Sequence, residues 1–127
     1  MILLLTGGTG SFGQNFLLKV LKDTDWTIRI LSRDEHKQED LRKKIYGSTL
    51  SLSNEIVEDR VRFFIGDVRD KDRVRRAMDG CDIVIHAAAL KQVQSCEYSP
   101  FETVKTNIYG TMNIIEAYKT FFLNHYK

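Results

Sequence analysis

Proline is almost missing from this chain of 127 residues, which contains one, Pro100. With so little of it, and only eight glycines, collagen-like and proline-rich disordered classes are excluded. Cysteine is nearly as scarce. Cys81 and Cys96 form no C-x-x-C pair, and no second pair completes a zinc site. A disulfide scaffold and a metal centre are therefore not expected, whereas two reduced thiols in a cytoplasmic protein are. No sign of charge dominates: 19 Lys and Arg face 17 Asp and Glu, a formal net charge of +2 that supplies no drive toward nucleic acid. Long apolar runs are absent as well. Met1 to Leu5 is about a quarter of a membrane span, has no basic segment before it and meets glycine at once, so neither a membrane segment nor a signal peptide is expected. What is present is a 43% hydrophobic chain of single-domain length, able to bury roughly two-thirds of its unfolded surface in one core.

The pattern alternates short apolar runs with helical periodicity. Ile2 to Leu5 reads as a strand buried on both faces. Phe12, Phe16, Leu17, Val20 and Leu21 then form one helical stripe. Trp26 to Leu31 reads as a second strand, followed by a charged helix capped by Asp34 and anchored by Leu41 and Ile45 up to Tyr46. Residues 47–59 suggest a surface loop, with room for a short turn of helix. Val61 to Ile65 is a third strand. Asp70 caps a helix carrying Val74, Ala77 and Met78, which Gly80 ends. Asp82 to Ala87 is a fourth strand, and Ser99-Pro100-Phe101-Glu102 opens a last helix with stripe Val104, Ile108, Met112 and Ile115, running to about Tyr118. Strand alternating with helix implies α/β architecture: a Rossmann-like, doubly wound parallel sheet, truncated, in the order 3-2-1-4.

Between the first strand and the first helix lies Thr6-Gly7-Gly8-Thr9-Gly10-Ser11-Phe12-Gly13. Gly7 permits a tight turn, Gly10 lets the backbone approach a pyrophosphate, and Gly13 lets the helix pack closely. Free N–H groups at the helix start then face the anion. The end of the second strand selects the cofactor. An acidic residue there suits the ribose of NAD, whereas Ser32 and Arg33, with Lys37 one turn later, suit a 2′-phosphate. NADP is favoured, although Asp34 or Glu35 could serve a ribose if the register slips. Asp67, after the third strand, can accept from an adenine amino group with Val68 packed on the ring. His86-Ala87-Ala88-Ala89, after the fourth, leaves room for ribose and nicotinamide. His86 itself reads as a packed, hydrogen-bonded side chain rather than an acid or base, and the Arg69 to Arg76 charges as a solvated helix face.

TGGTGSFG, SRDEHKQED, FFIGDVRD, HAAALKQVQSCEYSPFETVKTN and the following G-T resemble the extended short-chain dehydrogenase/reductase superfamily. More narrowly, they are similar to UDP-N-acetylglucosamine 4,6-dehydratases and related nucleotide-sugar dehydratases and epimerases of polysaccharide biosynthesis. The likeness spans about residues 2 to 117. It implies that Thr9, Gly10, Ser11 and Phe12 hold the pyrophosphate and that Ser32 to Lys37, His36 included, surround the 2′-phosphate. It further implies that Asp67 and Val68 take the adenine, that Ala87, Ala88 and Lys91 approach the nicotinamide half, and that Asn107 supports the active site. Gly110 matches a close-packing glycine, and Gln94 departs from a usual proline.

The resemblance also exposes an absence. Such enzymes use a Tyr-x-x-x-Lys pair to oxidise the sugar C4 hydroxyl, with hydride passing to NADP⁺ before water is eliminated across C5 and C6. Here Tyr46, Tyr98, Tyr109 and Tyr118 are followed four residues on by Leu50, Glu102, Asn113 and Phe122, and Tyr126 by Lys127 directly. The expectation is an NADP-binding half-domain over residues 1–118, a divergent tail over 119–127, no sugar-nucleotide domain and no catalysis by this chain alone. A small NADP sensor and one half of a split enzyme are the alternatives. A UDP-sugar becomes a partner only if a catalytic half is supplied. A second copy of the chain becomes one if the apolar fourth strand, Ile83 to Ile85, is left as an open edge.

Overall fold

The structure is a computed structural model that describes residues 1–47, 54–88, 101 and 105–123. Four strands, β1 (Ile2–Thr6), β2 (Thr27–Ser32), β3 (Val61–Ile65) and β4 (Ile83–His86), form one parallel sheet in the expected order β3-β2-β1-β4. Leu3 pairs with Ile28 on one side and Ile83 on the other, and Ile28 with Val61, so every register follows from β1 outward. The continuous apolar run of β1 has its reason in this position. Successive side chains point to opposite faces, and both faces are covered. Leu3 and Leu5 enter a core with Leu17, Leu21, Ile28, Ile30, Leu41 and Ile45; Leu4 enters a second core with Leu31, Val74, Met78, Ile114 and Ala117.

The first core is closed by helices α1 (Ser11–Asp23), α2 (Glu35–Tyr46) and α3 (Asn54–Arg60). In α1, Gly13, Leu17, Val20 and Leu21 are buried, but Phe12 is 59% exposed and only stacks on Phe16. The stripe read from sequence is therefore one residue too long: the first turn of α1 stands beside the glycine loop, where the sheet offers nothing to pack on. Asp34 caps α2 as expected, accepting from the Lys37 N–H. The short helix allowed for after residue 47 is α3, about two turns long, and it puts Val57 into the core rather than lying on the surface. Its last residue, Arg60, donates to the carbonyls of Leu21, Thr24 and Trp26, tying off the C-terminus of α1.

The second core is closed by α4 (Lys71–Met78) and α5 (Gly110–Phe122). Asp70 caps α4 through the Arg73 N–H, and Gly80 follows it at φ +80°, both as read. The last helix differs. A π-helical turn, Lys105–Tyr109, leads into α5, and the buried residues are Gly110, Ile114 and Ala117. Ile108, Met112 and Ile115, the expected stripe, are about half exposed. The wider π turn rotates the face that follows it, and Gly110 draws the helix onto Val68, where an added Cβ would stand 2.5 Å from Cγ2. α5 also runs four residues beyond Tyr118. The helix start at Ser99 and Pro100, Val104, Cys96, Gln94 and Lys91 lie outside the described residues.

Candidate cofactor site

The carboxyl ends of all four strands meet at one edge of the sheet. β1 runs into the glycine loop, β2 into Ser32 and Arg33, β3 into Gly66 and Asp67, and β4 into Ala87. In open α/β sheets this is the edge that carries ligands. The three glycines there differ in what they allow. Gly7 has φ +72°, and a Cβ on it would lie 2.7 Å from the Ala87 carbonyl and the Ala88 nitrogen. At Gly13 a Cβ would strike the Gly7 oxygen and Gly8 Cα at 2.5 Å, so this glycine seats α1 on the loop itself rather than on a strand. Gly10 is the opposite case: a Cβ would meet only the Gly7 oxygen, at 3.5 Å, so its outer face is open.

That open face adjoins the start of α1, which has no side-chain cap and no acidic residue in its first turn. Helix N-terminal N–H groups left in this state favour an anion. Ser11 and Phe12 are exposed there, and Thr9 is held by its carbonyl, which accepts from Gln14 Nε2 while Lys44 donates to Gln14 Oε1.

At the end of β2, Ser32 Oγ accepts from Gln38 Nε2 at 2.7 Å. That bond leaves the Ser32 hydroxyl hydrogen directed to another acceptor. The Arg33 guanidinium is half exposed and 3.9 Å from Asp67. Asp34 is engaged as the helix cap, and Glu35, His36 and Lys37 stand exposed along the first turn of α2. Asp67 lies across from Arg33 but already accepts from Arg69: the backbone N–H at 2.9 Å, Nε at 2.8 Å and Nη2 at 2.6 Å. Burial works against ionisation of this carboxyl. The Arg69 hydrogen bonds, with the charges of Arg69 and Arg33, outweigh it and hold the group below the usual carboxylate range. Val68 is buried against Gly110 rather than standing open, and Asn113 Nδ2 donates to the carbonyls of Val68 and Arg69, fixing this loop to α5.

At the fourth strand end, the Ala87 and Ala88 N–H groups both donate to Thr6 Oγ1, at 3.2 and 3.3 Å. His86 is hydrogen-bonded on both ring nitrogens, to Thr6 Oγ1 and Thr111 Oγ1. Burial pushes its imidazole below its ordinary value. The sign is that of a buried neutral base: the stability it contributes is present above an unfolded value near 6.5 and lost as pH falls through the lowered folded value. Asn107 sits in the π-helical turn, its carbonyl accepting from Thr111 Oγ1. The expected site residues that the structure describes thus lie at the carboxyl ends of the strands, at the helix starts that follow them or, for Asn107, in the π-helical turn, with Val68 buried against Gly110; Lys91 lies outside the described residues.

Arg69, expected on a solvated helix face, instead binds Asp67, and the supporting residues that escaped the sequence reading include Thr6, Gln14, Gln38 and Asn113. Gln38 had a legible signal, since Gln38, Leu41 and Ile45 share the three- and four-residue spacing of one helix face, and it is 5% exposed. The other three had none, because their partners are 5, 45 or 80 residues away. A cavity of about 380 Å³ lies elsewhere, between α2, α3 and β3, bordered by Arg42, Tyr46, Glu58 and Phe63. It is lined by Val61 to Phe64 of β3 and by none of the glycine-loop residues. Among the described residues there is no group of three His, Cys, Asp or Glu that could hold a metal, and no helix long and apolar enough to cross a membrane.

Comparison with known proteins agrees with this geometry. The family described as "Polysaccharide biosynthesis protein" matches residues 3–125. A Methanocaldococcus jannaschii protein described as an uncharacterized membrane protein is 47% identical over 91% of this chain and 31% of its own length. A UDP-glucose 4-epimerase of Rickettsia bellii is 47% identical over 91% and 32%. Among solved structures, Pen from Bacillus thuringiensis is 40% identical with a TM-score of 0.80, over 93% of this chain and 33% of that one. A Thermus thermophilus UDP-glucose 4-epimerase in complex with NAD is 26% identical with a TM-score of 0.66, over 94% and 34%. The chain therefore spans about a third of the length of the proteins it matches. By the family match over nearly all of its residues, it belongs to the family described as "Polysaccharide biosynthesis protein", on a parallel α/β sheet in the order β3-β2-β1-β4.

Proposed function

We propose that this chain binds NADP(H) as the cofactor-binding part of a UDP-N-acetylglucosamine 4,6-dehydratase-like enzyme, and that it does not turn over sugar nucleotide alone. The observation that carries the reading is the uncapped start of α1 beside the open face of Gly10, with Ser32 and Arg33 at the next strand end. The open face fits a pyrophosphate, since it is the one place in the glycine loop where a Cβ would find space. That the Thermus epimerase is a complex with NAD supports a nicotinamide dinucleotide as the ligand class.

The residues divide the work by chemistry. N–H groups at the start of α1 bind the pyrophosphate, with Gln14 holding the Thr9 carbonyl back from them. Arg33 supplies charge to a 2′-phosphate and Ser32 a hydroxyl donor, oriented by Gln38. The Asp67 loop, braced by Arg69 and Asn113, borders the adenine, and the Ala87–Ala88 backbone borders the nicotinamide half. Bound NADP⁺ would supply a hydride acceptor for oxidation of a sugar hydroxyl. The base that must take the hydroxyl proton has no Tyr-x-x-x-Lys candidate in this sequence. A second reading, a 4-epimerase, is favoured by the name of the Rickettsia relative, and it requires the same first oxidation.

Parallel calorimetric titrations with NADP⁺ and NAD⁺ test the cofactor. Arg33→Ala is expected to weaken NADP⁺ about tenfold, the scale of one charge-assisted hydrogen bond, with NAD⁺ changed much less. Equal loss for both, or none, would overturn the 2′-phosphate role. 4-Keto sugar formed from UDP-N-acetylglucosamine by this chain alone would overturn its inactivity.

The same reading covers association. Ile83, Val84 and Ile85 are only half buried, and β4 pairs with β1 alone among the described residues. Two copies are proposed to pair through β4. Sedimentation should show a dimer, and a clean monomer at high concentration would exclude it.

A further inference from the structure

The hydrogens of the His86 network can be assigned one by one. Thr111 Oγ1 donates to the Asn107 carbonyl at 2.8 Å, which commits its hydrogen. It can therefore only accept from the His86 ring, 3.1 Å away, so the proton is on Nε2. Nδ1 is then a lone pair and accepts from the Thr6 hydroxyl. Both lone pairs of Thr6 Oγ1 are taken, by the Ala87 and Ala88 N–H groups. Each donor finds an acceptor, and Thr6 Oγ1 has no lone pair left over. Thr6 is fully buried, so no water competes for its hydroxyl.

We propose that His86 is a positioning residue: its neutral Nε2–H imidazole joins Thr6 at the end of β1 to Thr111 and the Asn107 carbonyl, so that the Ala87–Ala88 backbone and the π-helical turn are held as one unit. The proposal deepens the cofactor reading and rests on it for what this edge holds. The link itself does not depend on a ligand. A second proton on the ring would turn Nδ1 into a donor facing an oxygen whose lone pairs are already used, and would disturb the bond from the Ala88 N–H and the shared bond from the Ala87 N–H, which also donates to the Thr6 carbonyl at 3.0 Å. Among the described residues Thr6 and Thr111 hydrogen-bond the ring, neither of them charged, and burial pushes its imidazole below its ordinary value.

The test uses the isotopically labelled chain and two Thr111 variants. In the parent, nitrogen NMR should show one tautomer with the proton on Nε2 and an imidazole that stays neutral below the ordinary histidine range. Thr111→Val should break the tautomer preference and shift the amide resonances of Ala87 and Ala88, more than 20 residues away in sequence; Thr111→Ser should restore both. Where the parent binds NADP⁺, Thr111→Val should weaken it about three- to tenfold, one hydrogen bond's worth of misplacement. An Nδ1–H tautomer, or a Thr111→Val change confined to α5, would overturn the proposal. If the parent binds no dinucleotide, the cofactor reading fails and the tautomer and amide shifts still decide the link.

Discussion

Gly7→Ala is expected to abolish dinucleotide binding and to lower the unfolding free energy by about 2–5 kcal/mol. Two costs add. At φ +72° a side chain meets its own backbone, about 1–2 kcal/mol. The added Cβ would also lie 2.7 Å from the carbonyl carbon and oxygen of Ala87 and the nitrogen of Ala88, all main-chain atoms with no rotamer to escape into. Relief can come only by moving β1 and β4 apart where they approach the glycine loop, at an overpacking cost of about 1–3 kcal/mol. Gly10→Ala is the control. Its Cβ meets only the Gly7 oxygen at 3.5 Å, so stability should change little, while the methyl fills the face reserved for the pyrophosphate. Urea unfolding and calorimetric titration of both variants separate fold from site. A Gly7→Ala chain of parental stability would contradict the loop geometry, and a Gly10→Ala chain with parental affinity would move the pyrophosphate elsewhere.

Arg60→Met should cost about 2–4 kcal/mol of stability without changing cofactor selectivity. The guanidinium donates through Nη1 to the Leu21 carbonyl at 3.1 Å, through Nη2 to Thr24 at 2.6 Å and through Nε to Trp26 at 3.0 Å. These carbonyls include ones that the end of α1 leaves without intrahelical partners, where the helix dipole also favours a cation. Methionine keeps most of the stem but supplies no donor. Lysine offers one ammonium in place of a three-way fork, so Arg60→Lys should recover only part of the loss. Against a typical total of 5–15 kcal/mol for a single domain, the effect is large enough to read as a shift in the urea midpoint. An unchanged midpoint would mean that water replaces the three bonds at no cost.

How much of this was legible depended on distance along the chain. The glycine spacing, the Asp34 and Asp70 caps and the Gly80 stop rest on neighbours within a few residues, and each is found in its expected place. The sheet order followed because a β1 apolar at every position needs cover on both sides and parallel strands need crossovers. The last helix defeated the same logic. Ile108, Met112 and Ile115 make a good stripe, yet Gly110, Ile114 and Ala117 are the residues buried. Periodicity assumes a constant turn, and the π-helical turn at Asn107 breaks that assumption. The small residues then let the helix settle closer to Val68 than the larger stripe could.

The sequence alone was enough for the fold class, the strand order and the place of the glycine loop between β1 and α1, because local periodicity and turn chemistry act over a few residues at a time. Tertiary structure decided which side chains brace the residues around the proposed cofactor. Gln38 orients Ser32, Asn113 holds the Val68–Arg69 loop, and Thr6, His86 and Thr111 lock two strand ends to the π turn. Most of these bonds join groups far apart in sequence, and a hydrogen bond is specified by where two atoms meet in space.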